Sequence, residues 1–125
     1  IVKMMMSRHD ALSTLCNTTY GKSGSPSGTR SVTASFAGNY LTLKYTTVFH
    51  YAEERSLQMQ VSSLAEESIS YLSQMVEQLK KDYKEMTGET LKLKEVKSND
   101  GVELVSALSM RKVAYYRRMH VLEIV

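Results

Sequence analysis

The sequence predicts an α+β fold: an antiparallel β-meander, a long amphipathic crossover helix, then two or three antiparallel strands. Three observations carry this expectation. Side chains alternate with period two around a Gly38-Asn39 turn, apolar positions then recur at spacings of four and three as far as Gly88, and alternation returns from Leu91 onwards.

Residues 7–19 form a short helix in this reading, with Ser7 as its cap and Asp10 three residues on. The stretch Cys16-Asn17-Thr18-Thr19-Tyr20-Gly21-Lys22-Ser23 ends like a phosphate-binding loop. Cys16, however, stands where the first glycine must make the turn, and the Ser/Gly/Pro run after Lys22 opposes the helix that such a loop requires. Residues 21–31 therefore read as a flexible arm. This divides the chain into an N-terminal segment and arm, 1–31, and an α+β domain, 32–125.

Closing a two-residue hairpin at Gly38-Asn39 pairs Phe36 with Leu41, Ala34 with Leu43 and Val32 with Tyr45, all on one face. Beyond Tyr51, the alternation of Leu57, Met59 and Val61 predicts a third strand, reached through residues 52–56 and opposite Tyr51, Phe49 and Thr47. Ser63-Leu64-Ala65-Glu66 reads as a capping box that starts a helix running to Thr87 and stopping at Gly88. Its first turn holds Glu66 and Glu67, and Lys80, Lys81 and Lys84 lie towards its end, as the helix dipole favours. Its apolar stripe is widened to about 160° by Leu64, Tyr71 and Met75, where one packing face needs little more than about 100°. Leu91 and Leu93 begin the next strand, Ser98-Asn99-Asp100-Gly101 reads as a turn, and Val102, Leu104, Ser106 and Leu108 return. A closing strand from Val113 to Val125 is apolar on both sides, with Met119 and Val121 on one and Leu122 and Ile124 on the other. Such a strand is central in its sheet or covered by another chain.

A chain of 125 residues buries about two-thirds of its unfolded surface, so it needs no disulfide or metal staple. Its single cysteine and the lack of an apolar run of membrane length lead us to expect an intracellular protein with no membrane partner. Charge is uneven: residues 1–52 carry a net +4, 53–90 a net −4 and 91–125 a net +3. Basic flanks around an acidic middle suit subunit pairing or a nucleic-acid face.

Chemistry-bearing constellations are missing from the sequence. His9, His50 and His120 lie far apart, Cys16 has no histidine near it, and the pairs Glu53-Glu54 and Glu66-Glu67 are sequential neighbours that do not face one another. We therefore expect no enzyme, no metal, no cofactor and no small-molecule substrate. The leading expectation is a structural or assembly subunit of a large particle, most concretely a virion piece such as a phage head, neck or tail component. It would bind copies of itself and other structural proteins through Leu64, Tyr71, Met75, Met119, Val121, Leu122 and Ile124. The alternative is a small basic domain for single-stranded DNA or RNA, using Arg111, Lys112, Tyr116, Arg117, Arg118 and His120 on one strand.

Overall fold

A computed structural model describes residues 5–16, 20–25, 28–106 and 112–125. It has the α+β architecture: one antiparallel sheet, in which a long helix separates the first hairpin from two further strands. In chain order the elements are α1 (Arg8–Cys16), β1 (Tyr20–Ser25), β2 (Gly28–Ala37), β3 (Tyr40–Tyr51), α2 (Glu54–Thr87), β4 (Leu93–Ser106) and β5 (Lys112–Ile124). The strands lie side by side as β1-β2-β3-β5-β4.

The first hairpin has the register expected from its turn. Phe36 faces Leu41, Ala34 faces Leu43 and Val32 faces Tyr45, and Gly38 closes it at φ 61°, a left-handed conformation that glycine adopts without a Cβ clash. Leu41, Leu43, Tyr45, Thr47 and Phe49 are all buried on one side of β3. The Ser7 cap is also present: the Asp10 N–H donates to Ser7 Oγ at 3.2 Å. Of the 7–19 helix, residues 17–19 lie outside the described residues.

Three expectations are corrected. Residues 21–31 are not an arm where they are described, because β1 pairs with β2, Lys22 opposite Arg30 and Tyr20 opposite Val32. The strand expected at 57–61 is instead the first part of α2, whose N-cap lies ten residues before Ser63. Its N-cap is Glu53, whose N–H donates to Ser56 Oγ at 3.1 Å in a capping box. Leu57, Val61 and Leu64 are spaced by four and three and turn towards the core, while Met59 points out at 68% exposure. Period two and period 3.6 coincide over so short a run. The neighbour that β3 takes on that side is β5, with Phe49 opposite Ala114 and Thr47 opposite Tyr116.

The third correction concerns Ser98-Asn99-Asp100-Gly101, which is no turn. β4 runs straight through it, with Asp100 opposite Arg118 and Gly101 opposite Arg117. Cross-strand partners outweigh the local preference of these residues for a bend. Residues 107–111, Leu108 among them, lie outside the described residues.

Both helices cover the same face of the sheet. Leu12 of α1, Leu72 and Leu79 of α2, and Leu43, Tyr116 and Ile124 of the sheet join in one core cluster. α2 ends where expected: Gly88 sits at φ 77° and its N–H donates to the Lys84 carbonyl at 2.8 Å. At 34 residues α2 is about 50 Å long. It lies over β3 and β5 and α1 lies over β2, while on β4 Leu93 packs against the core and residues 94–105 are exposed.

Candidate interaction surfaces

The predicted interface residues divide by which way the core takes them. Met75, Leu122 and Ile124 are buried in the chain's own core, so they are corrected to core residues with no area to offer a neighbour. Leu64 and Tyr71 are half-buried and pack against that core, and the Tyr71 ring lies 5.7 Å from that of Tyr45. The wide stripe on α2 is thus used on two flanks, one towards β3 and one towards β5. Met119 and Val121 are half-buried on the opposite side of β5. That strand is apolar on both sides because it lies between β3 and β4.

The predicted nucleic-acid strand is turned the other way from what contact requires. Tyr116, Arg118 and His120 do share a face, but it is the face beneath α2. Tyr116 is fully buried, which removes it as an exposed stacking platform, and Arg118 keeps only 13% of its side chain exposed. His120 Nε2 lies 3.6 Å from Glu95. Lys112 is exposed, with its ammonium 6.0 Å above the Tyr51 ring. Arg117 projects from the other face, its guanidinium 4.8 Å over the Tyr115 ring and 2.5 Å from Glu103. Arg111 lies outside the described residues.

Beneath α2 these side chains form a closed polar network, and its protons can be assigned. Ser68, fully buried, donates its hydroxyl proton to the Ala65 carbonyl at 2.7 Å and accepts from Arg118 Nε at 2.8 Å. The Tyr116 hydroxyl donates to Asp100 Oδ2 at 2.8 Å and accepts from an Arg118 terminal nitrogen at 3.2 Å. That nitrogen also reaches Asp100 at 3.2 Å, and the other reaches Ser98 Oγ at 3.3 Å. Each donor has an acceptor, so the network ties α2, β4 and β5 together. With its proton committed to a carbonyl and its lone pair to Arg118, Ser68 acts here as a structural hydroxyl. No sequence motif marked it, because its partners lie about fifty residues away.

A second polar group sits at the opposite flank of α2. The Tyr45 hydroxyl donates to Glu67 Oε2 at 3.1 Å, and Arg30 Nε pairs with Glu67 Oε1 at 2.9 Å. Burial, aided by the Glu67 carboxylate, pushes the Tyr45 hydroxyl up to about 12, while Arg30 opposes the shift. Burial raises Tyr116 as well. A folded-state value above the unfolded one means the native state holds the proton longer, so stability is complete below about pH 10 and falls as pH rises towards 12. The expected loss from Tyr45 is roughly 2 kcal/mol by pH 12. Urea titrations at a series of alkaline pH values should show this decline, and Tyr45→Phe should flatten it.

Two surfaces remain open among the described residues. One is the uncovered face of the sheet, where Lys44, Tyr115, Arg117, Met119 and Val121 lie among hydroxyl side chains. The other is the outer edge of β4, whose only described strand neighbour is β5. Along it Val96, Val102, Leu104 and Val105 are 51%, 40%, 60% and 45% exposed. Sequence reasoning passed over these residues, although the alternation across Val102 and Leu104 pointed to a strand. Which strand would be left at the margin depends on sheet order, and sheet order is not a local property.

Ile69, 54% exposed, belongs to the same side. Glu67 reaches β2 and β3, and successive helix residues turn by 100°, so Ile69 lies on the flank directed towards β4. The described residues contain no group of three His, Cys, Asp or Glu side chains able to hold a metal, and no described helix is long and apolar enough to cross a membrane. No protein-family model matches the sequence, and no curated protein and no solved structure is significantly similar to it.

Proposed function

We propose that the chain is a non-enzymatic structural subunit of a multi-protein assembly, of the kind that builds a phage head, neck or tail, with copies of itself and other structural proteins as partners. The supporting observation is the edge strand β4. It is 14 residues long, contains no proline and exposes four aliphatic side chains. Two bulges bound its regular segment, 97–104, and within that segment its outward amides and carbonyls can accept a further strand.

Sedimentation velocity from about 1 to about 200 μM is the test, a range spanning the affinities of weak and moderate assemblies. Concentration-dependent species above the 14.1 kDa monomer are expected, and Leu104→Lys with Val105→Lys should reduce them while the circular dichroism spectrum is unchanged. A boundary that stays at 14.1 kDa throughout would overturn the proposal.

One observation favours the nucleic-acid reading on a different face from the one expected. Arg117 stacked on Tyr115 presents a cation and an aromatic ring together on the uncovered side of the sheet. Against it, Glu103 already neutralises Arg117. The same sedimentation run with a labelled single-stranded oligonucleotide separates the two readings. Co-migration that weakens steeply with salt belongs to the second.

A further inference from the structure

Resting on the assembly reading, we infer that the partner of the β4 edge is a second copy of this chain, joined antiparallel about a two-fold axis through Asp100, so that two five-stranded sheets become one of ten strands. The argument starts from symmetry. Two identical edge strands paired antiparallel are related by an axis perpendicular to the sheet. Position i then faces position 200−i when the axis passes through Asp100, and each pair shares a face. β4 is regular between its bulges at 95/97 and 104/106, and Asp100 lies near the middle of that segment.

Charge selects this register. Lys97 and Glu103 project from the same uncovered face, opposite Val121 and Tyr115 of β5, and both are exposed. With the axis at Asp100, Lys97 lies directly across from the partner's Glu103, and symmetry makes this contact twice. Moving the axis one residue towards Gly101 puts Lys97 across from Val105 and Glu103 across from Asn99. Moving it one residue towards Asn99 puts Lys97 across from Gly101 and carries the position across from Glu103 past the bulge at 95/97. Only the Asp100 register gives Lys97 an acid, and it sets Lys97 beside a Glu103 that already holds its own Arg117 in an exposed pair. A lysine on an edge strand normally guards it against pairing; here a glutamate at the symmetric position offsets that guard.

The Asp100 carboxylates approach each other at the axis, but each already holds its own Arg118 at 3.2 Å and its own Tyr116 hydroxyl at 2.8 Å. Val102 comes to lie across from Ser98, on the same face of the joined sheet as Leu104. The flank of α2 carrying Ile69 then borders a trench over the joined β4 strands, between the two long helices.

The test is a charge exchange in the full chain, read by sedimentation equilibrium. Lys97→Glu and Glu103→Lys should each raise the dimer dissociation constant about tenfold or more, since each sets two like-charged pairs face to face. The double variant Lys97→Glu with Glu103→Lys restores opposite charges and should return to within about threefold of the parent. Hydrogen exchange should show amides of 97–103 gaining protection as concentration rises. Association unaffected by the single changes, or a double variant as weak as the singles, overturns this pairing and leaves the assembly reading with another surface. A monomer at every concentration overturns both.

Discussion

Truncating Leu79 to alanine is expected to lower the unfolding free energy by about 3–5 kcal/mol. Leu79 is fully buried in the middle of the stripe by which α2 lies on the sheet, between Met75 and Tyr83. The loss has two parts: the transfer free energy of the deleted carbons, and the cavity left in a layer held by strands on one side and a rigid helix on the other. Urea unfolding monitored by far-ultraviolet circular dichroism gives the value directly. Met59→Ala, on the same helix but 68% exposed, should change stability by less than about 0.5 kcal/mol. Equal losses at the two positions would mean that α2 is not seated on the sheet in this rotation.

Replacing Arg118 by alanine is expected to cost about 3 kcal/mol, because one guanidinium serves four acceptors. It satisfies Ser68, Tyr116 and Ser98 and neutralises Asp100, all from a largely buried position. Removing it leaves the fully buried Ser68 without its donor and takes the cation from the Asp100 carboxylate, which at 40% exposure keeps its contact with water. Arg118→Lys should recover only part of the loss, since a single ammonium cannot span Ser68 and Asp100 as the planar fork does. Arg117→Ala should be nearly neutral: its guanidinium is half exposed and its ion pair with Glu103 is solvated. Two adjacent arginines that look alike in the sequence thus differ by several-fold in their expected contribution, and a common small effect would show that the buried network is absent. The comparison also bears on function, because a nucleic-acid site on the Tyr116, Arg118 and His120 face would require these residues to leave their partners beneath α2.

The β2–β3 hairpin and the C-terminal stop of α2 were legible in the sequence for a common reason. Each is decided by residues close together in the chain: Gly38-Asn39 and the alternation around it in one case, Gly88 after a long run of period 3.6 in the other. Where local signals misled, a distant partner had intervened. Leu57, Met59 and Val61 alternate as a strand would, yet β3 finds β5 on that side, and the segment is left free to continue a helix already capped by Glu53 and Ser56. Ser98-Asn99-Asp100-Gly101 has the composition of a turn, yet Arg118 and Tyr116 hold Asp100 in an extended strand.

The candidate surface follows the same division. That some apolar area on α2 and the last strand had to meet something was readable from their patterns, but what it meets was not. Met75, Leu122 and Ile124 meet the chain itself, while the exposed aliphatics turned out to be those of β4.

The sequence by itself determined the α+β class, the first hairpin with its register, and the sense and end of the long helix, because hydrophobic period, turn chemistry and capping act over a few residues. Only the tertiary structure decided which strand is central, which stands at the edge and which arginine is buried. Those outcomes depend on pairings between segments up to about eighty residues apart, and no local energy term distinguishes among such pairings before the chain has folded.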